Sequence, residues 1–151
     1  MKNLIAAGAM VLVGGVAMAS EDDIVKMRAN SDVADTMEAL ATGVEAAGAT
    51  VFARIDHAAG AASVNMDLAA AQLLVFGNPM LGTPAMQDDP LAGLYLPLRV
   101  LVYEDAAGQV WLAYDDPEKM FEDLDNIGDD AGYVAKMKGA LGKLTAHAAG
   151  G

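Results

Sequence analysis

Residues 96–114 read LPLRVLVYEDAAGQVWLAY, and this stretch decides the fold class. Leu96 to Glu104 and Gln109 to Tyr114 are rich in the branched and aromatic residues that suit a pleated surface. Between them lies Asp105-Ala106-Ala107-Gly108, a turn-rich interval of hairpin length, so two antiparallel strands are expected. Working upstream, Gln72 to Phe76 is apolar on both sides and bounded by Gly77-Asn78-Pro79, the pattern of a more central strand. Asn78 to Gln87 reads as a short helix opened by Pro79. Thr50 to His57 alternates, with Val51, Ala53, Ile55 and His57 on one face and Phe52, Arg54 and Asp56 on the other; a small-residue loop, Ala58 to Val64, follows. Ile24 to Ala29 alternates in the same way as a half-buried strand.

Two helices complete the pattern. In Ser31 to Ala47 the apolar positions Val33, Met37, Leu40 and Val44 recur at steps of 4, 3 and 4 behind a capping Ser31, and Gly48 closes the run. Beyond Pro117 the chain reads as helical, first from Lys119 to Leu124 and then from Asp129 or Asp130 to about His147, with Ala148 to Gly151 as a frayed tail. The order is β-α-β-β-β-β-α. Strands met this way form an antiparallel sheet with the helices on one face, a single α+β domain.

Composition narrows the chemistry. The 151 residues are 54% apolar and 20% charged, enough for a core and unlike a disordered chain. The absence of cysteine removes disulfides, thiolate metal sites and thiol nucleophiles. A formal charge of −12 repels phosphate backbones and anionic lipid, so neither nucleic acid nor a membrane surface is an expected partner. Residues 1–19 read as a secretory signal: Lys2, an uncharged apolar run from Leu4 to Val16, and Ala17-Met18-Ala19 ahead of Ser20. The expected mature chain, one domain over 20–147 plus the tail 148–151, is then periplasmic or secreted, with no membrane association after the signal is removed.

Several segments, in order, carry a resemblance: Ile55-Asp56-His57-Ala58, LLVFGNP (Leu73 to Pro79), Gly82-Thr83-Pro84 with Met86, LPLRVLVYED (Leu96 to Asp105) and GQVWLAYDDP (Gly108 to Pro117). Together they resemble domain-of-unknown-function family 302. That resemblance implies a TBP-like fold with a curved sheet, and a homodimer; the family name implies no reaction. Leu68-Ala69-Ala70-Ala71 stands where the family often has Leu-Arg-Pro-Thr, Tyr95 where Asp is common, and no His-Gly-Leu follows Pro117. Polar groups that could have carried chemistry are thus missing.

Three functional readings remain. Lys26, Arg28, Arg54 and Arg99 all fall on predicted strands, and alternation puts the four on the face away from the helices, beside Phe52, Leu101, Tyr103 and Asp56. Arginine grips carboxylate, phosphate or sulfonate well. The leading reading is therefore a non-catalytic binding or interaction module, its ligand a small anion or a protein partner, using this face and its rim near His57, Asn78 and Thr83; His57 itself, the last residue of its strand, is expected with Val51 and Ile55 on the side that faces the helices. Covering of this face by a second copy, and simple pairing of the cations with acids, are the competing explanations. A second reading is copper binding or trafficking by His57, Met80 and Met86, since thioethers and imidazole suit Cu(I). A third is an enzyme with His57 as base, for which neither Ser63 nor a nearby Asp completes a hydrolytic set. Gly77 to Thr83 has the spacing of a phosphate loop without its lysine, and Asp123, Asp125 and Gly128 lack the remaining ligands of a calcium loop.

Overall fold

A computed structural model describes residues 23–128 and 130–150. The signal segment therefore lies outside the described residues. Five strands form one sheet: β1 Ile24–Arg28, β2 Thr50–Asp56, β3 Ala71–Gly77, β4 Leu98–Glu104 and β5 Val110–Asp115, in the order β1-β5-β4-β3-β2 with every pairing antiparallel. Long helices α1 (Val33–Ala46) and α5 (Gly132–Ala148) cover one face, and short helices α2 (His57–Ser63), α3 (Pro79–Asp88) and α4 (Pro117–Met120) sit in the connections. The domain is α+β, a curved antiparallel sheet with flanking helices.

The core follows from period-2 alternation meeting period-3.6 stripes. Opposed residues of an antiparallel pair share a face, so Met27, Leu112 and Val102 line up across β1, β5 and β4, and Val100 and Leu98 meet Leu74 and Phe76 of β3. These residues meet Val33, Met37, Leu40 and Val44 of α1 and Val134, Met137 and Leu141 of α5. The two helices lie close: a Cβ on Gly43 of α1 would stand 3.5 Å from both His147 Cδ2 and Leu144 Cδ2 of α5.

Local chemistry sets the ends. Asp32, one residue later than the expected Ser31, caps α1 by accepting from the Asp35 amide. In the hairpin, Asp105 Oδ1 accepts from Ala107 and Gln109 while Oδ2 accepts the Trp111 indole N–H at 2.8 Å, and Gly108 takes the positive φ the turn requires. These bonds, the Trp111 one foremost, hold the Asp105 carboxyl below its ordinary value. The tail expected to fray is instead packed: Ala148 and Ala149 are buried, and the Ala149 carbonyl accepts from the Asn30 amide at 3.2 Å.

Two further expectations change. The segment expected to be a loop after His57 is α2, which escapes periodicity because Ala58-Ala59-Gly60-Ala61-Ala62 has no large apolar residue to mark a face. More consequential is a bulge in β2. Val51 opposes Phe76 and Ala53 opposes Val75, so Phe52 is an extra residue and every position after it swaps faces.

Candidate functional site

The bulge breaks up the predicted basic face. Arg54 opposes Leu74, whose other partner is buried Val100, so Arg54 lies on the helix side; its Nη1 pairs with Glu38 of α1 at 3.0 Å and its Nε donates to Gln72 at 2.8 Å. Arg99 opposes Val75 on the open side and pairs with Asp115 at 3.4 Å. Lys26 and Arg28 share that open side, opposite Ala113 and Trp111. Arg28 donates to Gln109 at 2.9 Å, its guanidinium carbon 5.5 Å from the centre of the Trp111 ring. The expected four-cation surface is corrected to three cations on the open face, with Arg54 on the other.

His57 moves for the same reason. It is not the core-facing last residue of a strand but the exposed first residue of α2, because Asp56 ends β2 by accepting the Ala59 amide at 2.9 Å. Ser63 donates its hydroxyl to the Gly60 carbonyl at 2.6 Å, so Ser63 and Asp56 are both engaged by the backbone of α2 itself. Among the described residues no group of three or more His, Asp or Glu side chains could hold a metal ion.

What the structure does build is a pocket of about 270 Å³ at the end of the sheet where β3 stops and β4 starts. Its wall comes from four places. The β2 bulge contributes Phe52; the β3–α3 corner contributes Gly77, Asn78, Leu81, Gly82, Thr83 and Met86; the turn into β4 contributes Leu96, Pro97 and Leu98; and α5 contributes Met137. A Cβ on Gly77 would stand 3.4 Å from Phe52 Cε2 and 3.5 Å from Pro97 Cβ, so glycine keeps that wall flat. Behind the turn, buried Asp89 accepts from the Leu91 amide at 2.9 Å and from Asn126 at 3.1 Å, pinning the connection. Tyr133 of α5 donates to Asp88 at 2.8 Å, and burial together with that carboxylate pushes the phenol up to about 12.

Asn78, Thr83 and Met86, singled out from sequence, line this pocket, whereas Arg54, Arg99, Lys26, Arg28, His57 and Met80 do not. Met80, 82% exposed, stands on the outside of α3, so His57, Met80 and Met86 do not share the cavity. Leu96 and Met137 carry no site signal in the sequence, and Phe52, expected beside Arg54 on the sheet face, stands at the pocket: the cavity is assembled from four segments, and no local spacing announces it.

The first turn of α3 shows why the phosphate-loop spacing at Gly77 to Thr83 is empty of that meaning. Pro79 has no N–H, the Met80 amide goes to Asn78 Oδ1 at 2.9 Å, and the Leu81 and Gly82 amides both go to the Asn78 carbonyl at 2.9 and 3.0 Å. The amides of the first turn that could cradle an anion are thus already used.

The family model described as domain of unknown function DUF302 matches residues 25–144. This chain belongs to that family. A crystal structure of an uncharacterized conserved DUF302 protein from Bacillus stearothermophilus superposes with a TM-score of 0.76, covering 83% of this chain and 98% of that one at 15% identity, which establishes the shared TBP-like fold. Curated relatives are named fluoride-specific ion channels: FluC 1 of Brucella suis biovar 1 (strain 1330) is 37% identical over 131 residues, covering 86% of this chain and 51% of that protein. FluC 1 of Brucella abortus biovar 1 (strain 9-941) is likewise 37% identical, over 86% of this chain and 48% of its own length. The DUF302 chain thus spans about half the length of the curated relatives it matches, and among its described residues no helix is long and apolar enough to cross a membrane.

Proposed function

We propose that this chain is an exported, non-catalytic DUF302 module that binds a small molecule in the pocket between the β2 bulge, α3 and α5. The observation that carries the reading is the pocket itself: about 270 Å³, walled by Phe52, Leu81, Met86, Leu96, Pro97, Leu98 and Met137. Ligand sites are concave and mostly apolar, with a few placed polar groups, and this volume approaches the roughly 300 Å³ at which drug-sized sites begin. The open sheet face, with Leu73, Val75, Leu101, Tyr103 and Trp111 only half-buried, favours association with a second copy. The conduction named for the FluC relatives falls, on this reading, to the part of those proteins that this chain does not span. The present chain is then a binding domain of the kind joined to such channels, and it acts outside the cytoplasm once Ala19–Ser20 is cleaved.

Native mass spectrometry of the protein purified from its own exported fraction tests this directly. The expected species starts at Ser20 and carries an organic mass that Thr83→Trp, which fills the pocket from an exposed helix position, removes. An intact N-terminus in the cytoplasmic fraction would overturn the export, and a bound mass unchanged by Thr83→Trp would overturn the site.

A further inference from the structure

We propose that the pocket selects an uncharged, ring-sized organic molecule bearing one hydrogen-bond acceptor, which the Asn78 carboxamide receives while the apolar walls hold the ring. The inference rests on the pocket being the ligand site and adds the chemical class. Size comes first: an apolar cavity of about 150 Å³ is enough for benzene, so about 270 Å³ suits one or two fused rings.

Charge selection follows from what the wall lacks and what it has already used. Among its lining residues there is no Lys, Arg or His, and the first-turn amides of α3 are occupied as described. An anion entering here would lose its water and gain no charged partner, in a protein whose net charge is −12. Asn78 is different. Its Oδ1 is held by the Met80 amide, which orients the carboxamide, and among the described residues no hydrogen bond uses its Nδ2. A fixed amide donor in an apolar wall recognises an acceptor such as a ketone, amide or ether oxygen. The mouth is rimmed by exposed apolar side chains, Phe52 and Met86, which suits an apolar entrant rather than a salt.

Three probes on one frame test this with the full chain: 2-acetylnaphthalene (neutral, acceptor), 2-ethylnaphthalene (neutral, no acceptor) and 2-naphthoate (anionic), each titrated by calorimetry. The acetyl probe should bind about fivefold more tightly than the ethyl one, and naphthoate about a hundredfold more weakly than the acetyl probe. Asn78→Asp retains a side-chain oxygen able to cap α3 but loses the N–H donors, so it should bring the acetyl and ethyl affinities within about twofold while leaving the fold intact by circular dichroism. Naphthoate binding as well as the acetyl probe would overturn the neutrality and leave the pocket standing. An acetyl preference that survives Asn78→Asp would overturn the role of Asn78. Failure of all three probes would overturn both the class and the pocket reading beneath it, and affinities that weaken as protein concentration rises would assign the cavity to a second copy instead.

Discussion

Met137 joins the core to the pocket, and replacing it with alanine tests both at once. The side chain is 1% exposed, lies on α5 and closes the inner wall of the cavity. Met137→Ala removes three heavy atoms; at about 0.8 kcal/mol per buried methylene-sized group the transfer loss is about 2.4 kcal/mol. A sealed core would add a cavity cost that can take such changes toward about 5 kcal/mol. At 1% exposure Met137 reaches the pocket with only a sliver of surface, so a good part of that cavity cost applies and about 3–4 kcal/mol is expected. With a urea m-value of about 1.5 kcal/mol/M for a small domain, the unfolding midpoint should fall by about 2–2.7 M at unchanged slope. The enlarged pocket should in turn accept a neutral probe one ring larger than the parent does. A midpoint shift below about 0.5 M would mean that Met137 does not pack as described. A large shift with no gain in probe size would mean that the pocket does not reach α5.

Other outcomes follow from the same geometry. Arg54→Ala and Arg99→Ala, each breaking an exposed ion pair, should cost about 1 kcal/mol or less in urea unfolding and leave pocket affinities unchanged, because neither residue lines the cavity. Fluoride titrated into the labelled protein should leave the amide resonances of Met80, Leu81 and Gly82 in place, and saturable shifts there would show that their donors are available after all. Asp105 has a lowered carboxyl pKa, so its contribution is full above the ordinary value of 3.8 and is lost as pH falls through the lowered one; the stability gap between the parent and Asp105→Asn should therefore narrow on acidification below that point. Tyr133 is shifted the other way, from 10.0 to about 12, so the stability it contributes is present below pH 10 and lost as pH rises toward 12; ultraviolet titration of Tyr133→Phe should lack a late-ionising phenol that the parent shows.

The sheet was readable because its strands carry their own signatures. The hairpin of β4 and β5 is marked by Asp105 to Gly108 between apolar runs, and α1 by Val33, Met37, Leu40 and Val44 on one stripe. The faces of β2 were not readable, since TVFARID alternates without a break while one of its residues is surplus to the ladder. That single position moved Arg54 to the helix side; Lys26, Arg28 and Arg99 keep the open face, while Asn78 and Thr83 of the expected site stand apart from them at a pocket. The pocket's other walls escaped because they meet through tertiary packing: Phe52 and Met137 lie 85 positions apart, and nothing near either one announces the other.

The surplus residue in β2 also behaves as a phase marker. An insertion or deletion of one residue is normally absorbed in loops, but here the ladder itself tolerates a half-period shift between Val51 and Ala53 and resumes in register from Ala53 to Asp56. A sequence shorter by one residue at this point closes the bulge with Val51 still opposite Phe76 and Ala53 still opposite Val75, so every paired side chain keeps its face. The edge strand β2 is therefore a place where a one-residue length change touches a single side chain, Phe52, and with it one wall of the pocket, without refolding the domain.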